Sequence, residues 1–92
     1  MFDRNNAHST ERVAQLVRQL MARRSIDRLV GYEDVLSDCG LSSLDMVNLM
    51  LAVETEFDIK IPERDMTPSN FRSIAQIDKL LGALLRSDQQ VG

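Results

Sequence analysis

Three stretches of this chain repeat their apolar residues at the spacing of an α-helix, which confines the fold to a small helical bundle. Val13, Leu16, Val17, Leu20 and Met21 fall at i, i+3, i+4, i+7 and i+8. They predict a first helix over about 10–23, with Ser9 or Thr10 as its cap and Glu11 in its first turn. Ser42-Ser43 supplies the cap of a second helix, with Asp45 in its first turn and apolar residues following to Phe57. Ile74, Ile77, Leu80, Leu81 and Leu84 form the stripe of a last helix over about 73–85. A chain of 92 residues makes one domain and has little room for a deep active site.

The segments between the helices differ in character. Residues 24–41 show no sustained period. Gly31, Asp38 and Gly40 are turn residues there, and Ile26, Leu29, Val30, Val35 and Leu36 are apolar anchors. They read as a long loop pinned to the core, with room for one short helical turn. Loops of this length in small domains are often functional. Asp58 to Pro62 suits extended backbone before proline, and Glu63 to Asn70, holding Pro68, has room for a short helix or turn. The expectation is an all-α fold of three main helices and a short fourth, with the folded domain over 9–86. Residues 1–8 and 87–92 read as flexible tails.

Charge is unevenly distributed. From Glu33 to Asp58 there are seven acids (Glu33, Asp34, Asp38, Asp45, Glu54, Glu56, Asp58) and no Lys or Arg. The rest of the chain carries the other seven acids against all 11 bases. An acidic block repels nucleic-acid backbones and attracts basic partner surfaces. A plain solvated face is the alternative. No segment is long and apolar enough to span a bilayer, and Met1 to Asn6 lacks the apolar stretch of a secretory signal. The single cysteine, Cys39, cannot staple the fold, so a reducing cytoplasm fits best; it reads as a small buried apolar residue. His8 has no second ligand near it, so no metal site is expected, and Ser43 has no base near it in sequence, which disfavours a hydrolase.

The second helix holds more apolar residues than one core face needs. Met46, Leu49, Met50, Val53 and Phe57 form one stripe; Leu44, Val47 and Leu51 form another, displaced around the axis. A domain of this size rarely buries a helix completely, so the second stripe is expected to lie at least partly exposed beside Ser43 and to meet a partner.

The segment Asp38-Cys39-Gly40-Leu41-Ser42-Ser43-Leu44-Asp45-Met46-Val47 resembles the attachment motif of phosphopantetheine-dependent acyl carrier proteins. In that family a Gly-Leu-Asp-Ser-Leu sequence opens the second helix and its serine is esterified to phosphopantetheine. The match here is Gly40-Leu41-Ser42-Ser43-Leu44. Glu54 to Pro62 is similar to the family's helix end and following connector, and Phe71-Arg72-Ser73-Ile74-Ala75-Gln76-Ile77 to its approach to the last helix. The resemblance spans roughly residues 32–85.

It implies an acyl-carrier-protein-like bundle that is not an enzyme. Such a protein would hold an acyl or aminoacyl group as a thioester on a 4'-phosphopantetheine arm at Ser43. The implied partners are a phosphopantetheinyl transferase, a loading ligase and a downstream acyltransferase or synthase, meeting a monomer. Basic partner residues are expected to meet Asp38, Asp45 and Glu54, while an apolar socket receives Leu44 and Val47, with Leu51 on the same stripe. One departure stands out: the residue before the serine is usually Asp, and here it is Ser42, which can cap but carries no charge. Restoring the acid with Ser42→Asp is expected to speed modification with little change in stability. The cargo stays open between fatty acyl, other acyl and amino acid. An unmodified helical interaction module using the Leu44–Val47–Leu51 stripe is the competing function.

Overall fold

The computed structural model describes residues 4–91, with side chains for residues 9–85. Three helices, α1 (Arg4–Arg23), α2 (Ser43–Phe57) and α3 (Ile74–Val91), are joined by 3₁₀ turns at Leu36–Cys39, Glu63–Asp65 and Pro68–Phe71. There is no strand among the described residues. α1 packs against both other helices, and the turn before α3 packs against α2 and α3. The core is the set of apolar stripes expected from spacing: Val13 and Val17 of α1, Leu49 and Val53 of α2 and Ile77 of α3 are fully enclosed. Leu36 and Phe71 from the connections join them.

α1 begins at Arg4, so residues 4–8, expected as a tail, are helical. Ser9 and Thr10 are not its caps. Their hydroxyls cross to Asp78 of α3 at 3.2 and 2.6 Å, where Tyr32 Oη also donates at 3.0 Å. Three hydroxyls on one carboxylate thus tie α1 and the long loop to α3. α3 likewise continues to Val91, past the expected end near 85. Residues 1–3 and 92 of the expected tails lie outside the described residues.

The long loop is pinned as expected, largely through its backbone. Leu36 N–H donates to Arg72 O at 2.8 Å, and Ala75 N–H to Tyr32 O at 2.9 Å. Leu36 is enclosed and Ile26, Val30 and Val35 are part-buried. Leu29 is not an anchor, being 91% exposed. The second connector, expected to hold a short helix or turn, forms two 3₁₀ turns, the later one started by Pro68 behind a Thr67 cap. α2 ends where Asp58 takes a left-handed conformation (φ 54), which sends the N–H groups of Asp58 and Ile59 back to carbonyls of the last turn.

Candidate functional site

The chain enters α2 through a tightly determined corner. Gly40 sits at φ 106 and returns its N–H to Leu36 O and Ser37 O, closing the first 3₁₀ turn. A Cβ there would be strained by that φ and would lie 3.3 Å from Ile26 Cδ1. Leu41 then buries its side chain, which fixes the position of the next two residues.

Ser42 is the N-cap, extended at φ −87 and ψ 174, and forms a reciprocal capping box with Asp45. Ser42 Oγ accepts from Asp45 N–H at 3.2 Å, and Ser42 N–H donates to Asp45 Oδ2 at 2.8 Å. The same hydroxyl donates its own proton to Asp45 Oδ2 at 3.0 Å. Arg24, just past the end of α1, places Nη1 3.0 Å from both Asp45 oxygens. The Ser42 N–H bond is the main reason the Asp45 carboxyl lies below the usual carboxylate range. Burial opposes it, while the Ser42 hydroxyl and Arg24 reinforce it.

Ser43 occupies the first turn of α2 and is exposed. Its hydroxyl makes no hydrogen bond within the described residues. Leu44, Val47 and Leu51 stand exposed beside it, at 68%, 46% and 52%. A groove of about 920 Å³ runs from Ser43 between Met46, Val47 and Met50 of α2 and Met66, Pro68 and Phe71 of the connector, so that Val47 borders both the groove and the exposed stripe. The second apolar stripe of α2 is therefore an outward face, with uncharged Asn48 among its residues.

The acids expected to meet basic partners are disposed differently. Asp38 is exposed. Asp45 is not: it is 3% exposed, with its charge matched by Arg24, because a capping-box acid must fold back onto the helix start. That corrects its assignment as a partner-facing charge. Glu54 is half-buried, and its Oε2 accepts Ile61 N–H at 2.7 Å, so it binds the connector rather than standing free. Arg24 was the residue that sequence reasoning missed, lying in a stretch without period. The Ser42-x-x-Asp45 spacing was the one visible signal that Asp45 turns inward.

A phosphate ester on Ser43 fits this corner. The hydroxyl is accessible, first-turn amides and the helix dipole favour an anion, and the Asp45 carboxylate two residues on is buried and paired with Arg24. The groove gives a long substituent an apolar wall. The sequence profile of the family described as phosphopantetheine attachment site matches residues 11–77. The chain belongs to that family. Phosphopantetheine is accordingly the cofactor of this carrier protein.

Its relatives include aminoacyl carrier protein 1 of Bradyrhizobium diazoefficiens, 38% identical over 76 residues, covering 83% of this carrier and 84% of the relative. Aminoacyl carrier protein 2 of the same organism is 43% identical over 70 residues, covering 76% and 79%. Among solved structures, the carrier is similar to a chain in the Bradyrhizobium japonicum glycine:[carrier protein] ligase complexed with glycylated carrier protein. That match has a TM-score of 0.67 and 39% identity, covering 77% of this carrier and 96% of that chain. A second complex of that ligase, with cognate carrier protein and an analogue of glycyl adenylate, gives TM-score 0.69 and 38% identity, covering 80% and 96%. The all-α carrier fold expected from the sequence is the fold observed.

Proposed function

We propose that this carrier holds an amino acid as a thioester on a phosphopantetheine arm attached to Ser43. A phosphopantetheinyl transferase adds the arm, an amino acid:carrier protein ligase loads it, and a downstream acyltransferase or synthase takes the aminoacyl group. The carrier is a monomeric substrate of these enzymes in the cytoplasm, not itself a catalyst. The observation that supports the attachment point is the exposed, unengaged hydroxyl of Ser43 on the first turn of α2. The aminoacyl cargo is supported by likeness to aminoacyl carrier proteins over about four-fifths of the chain, and the ligase partner by likeness to a carrier solved with such an enzyme. Leu44, Val47 and Leu51 are the face the partners grip, with Asp38 the free acid at its edge.

Intact mass after incubation with a broad-range transferase and coenzyme A tests the attachment. Wild type and Ser42→Ala should gain one arm and Ser43→Ala none. A Ser43→Ala protein that still gains the mass would move the site elsewhere, and an unmodified wild type would favour a plain interaction module. Incubating the holo form with an amino acid:carrier protein ligase, ATP and single amino acids should then add one aminoacyl mass. Loading by fatty acids alone would overturn the aminoacyl reading.

A further inference from the structure

We propose that Arg24 and Asp45 are positioning residues for modification of this carrier, together fixing the orientation in which Ser43 is offered to the transferase. The inference rests on Ser43 as the attachment point. In the transfer, the Ser43 Oγ–P bond forms and a pyrophosphate P–O bond of coenzyme A breaks. Adenosine bisphosphate leaves, and the hydroxyl proton passes to a base on the transferase. Such a displacement depends on the angle at which Oγ meets phosphorus.

Among the described residues no side-chain hydrogen bond holds Ser43 directly. Its hydroxyl is unengaged, so its direction is inherited from the backbone at the start of α2. That backbone is tied to α1 through a short chain of contacts. Arg24 N–H is bonded to Leu20 O and Met21 O, at 3.2 and 3.1 Å, so the root of its side chain belongs to the end of α1. Ser25 follows in a left-handed conformation, and Ile26 N–H returns to Met21 O at 2.9 Å. From that fixed root the guanidinium reaches both oxygens of Asp45, 21 residues away in sequence. Asp45 in turn holds the backbone N–H and the hydroxyl of Ser42, the residue bonded to Ser43.

Burial makes this linkage restrictive. A carboxylate taken out of water is tolerated only with its donors in place. Asp45 receives the Ser42 N–H and Ser42 Oγ bonds within the start of α2 and the Arg24 bonds from the end of α1, so a changed tilt of α2 against α1 would take its charged partner from a buried carboxylate. α1 is itself anchored by Val13, Val17, Leu20 and Met21 in the core. Ser43 is thus referenced to the core through α1 as well as through Leu41 of the loop that precedes it.

The test uses the full chain with a broad-range transferase in excess and coenzyme A, reading single-turnover mass gain across transferase concentrations. Arg24→Gln and Asp45→Asn should lower the maximal rate about tenfold while the half-saturating concentration stays within about twofold. Arg24→Lys, which keeps the charge, should lose less. The double variant should be no slower than Asp45→Asn alone, because Arg24 acts through Asp45. Far-UV circular dichroism confirms that each variant is helical; if Asp45→Asn is not, Arg24→Gln against Arg24→Lys carries the comparison. A raised half-saturation with the maximal rate retained would mean that the pair touches the transferase and would overturn the proposal. So would unchanged rates, or an Arg24→Gln effect that persists in full in the Asp45→Asn background. Each of those outcomes leaves Ser43 as the attachment point; an unmodified wild type would remove that reading and the proposal together.

Discussion

The guanidinium of Arg12 lies over the ring of Phe57, its central carbon 4.4 Å from the ring centroid. Arg12 belongs to α1 and Phe57 is the last residue of α2. The same side chain donates to the Glu56 carboxylate at 2.8 Å and to the Glu56 main-chain oxygen at 2.7 Å. α2 has no basic residue in its own last turn, so α1 supplies the cation that its terminal carbonyls favour. Arg12→Ala should lower stability by about 1–2 kcal/mol, as a lower urea midpoint at unchanged slope. Arg12→Lys should recover only part, since a point charge cannot make the planar contact and both bonds. An unchanged midpoint for Arg12→Ala would show that this contact contributes nothing.

Glu54 stabilises the connector after α2. Its bond from Ile61 N–H satisfies a backbone donor in the segment leading to Pro62. Glu54→Ala should cost about 1–3 kcal/mol by leaving that donor unpaired. Glu54→Gln keeps an acceptor and should cost less, with loading by the ligase unchanged. A loading rate that falls with Glu54→Gln would return this residue to the partner surface.

Asp45 makes stability depend on pH in a defined direction. Its folded pKa is depressed, so its contribution is fully present above the unfolded value near 3.9 and is lost as pH falls through the folded one. The stability gap between wild type and Asp45→Asn should therefore be widest at neutral pH and close in acid. Denaturation curves at a series of pH values from neutral to below 3.9 measure it. A gap that does not change with pH would mean the carboxylate charge is not what is held.

The same geometry reverses an expectation about Ser42. An acid there was expected to leave stability nearly unchanged. Ser42 Oγ donates to Asp45 Oδ2 at 3.0 Å, and an ionised Asp in its place cannot. Two carboxylates would then face one another beside a single arginine. Ser42→Asp should be less stable than wild type at neutral pH and should recover as pH falls, because like charges raise the carboxyl pKa values. Denaturation at neutral and acid pH checks the sign, and equal stability at both would show that the chain relaxes to separate them.

On the outward face of α2, Val47→Ala should leave the fold intact, with a stability change within about 0.5 kcal/mol. Its effect should fall on partner dissociation, at about 1 kcal/mol if the ligase half-buries the side chain. Because Leu44, Val47, Asn48 and Leu51 carry no charge, the loading rate should depend only modestly on salt. A steep salt dependence would place docking on the acids around Asp38 instead.

The helices were legible because burial follows period: the stripes at Val13–Met21, Leu49–Val53 and Ile74–Leu81 are core faces in the structure. The outward stripe of α2 was legible for the complementary reason, as more apolar surface than a small domain can enclose. What was not legible depended on partners distant in sequence. Ser9 and Thr10 look like caps until Asp78 is beside them, and Asp45 looks like a free charge until Arg24 is beside it. The expected polar roles failed where a side chain had a tertiary partner that no local pattern encodes.

Cys39 is the only cysteine in the sequence, and its side chain is sealed in the core at 4% exposure, four positions before Ser43. Once the phosphopantetheine arm is in place, the accessible sulfhydryl of the folded protein is the arm's own. A thioester on that arm is spared capture by a neighbouring side-chain sulfur. A maleimide or disulfide reagent applied to the native protein therefore counts unloaded arms, and the signal should vanish as aminoacylation proceeds and return on treatment with hydroxylamine.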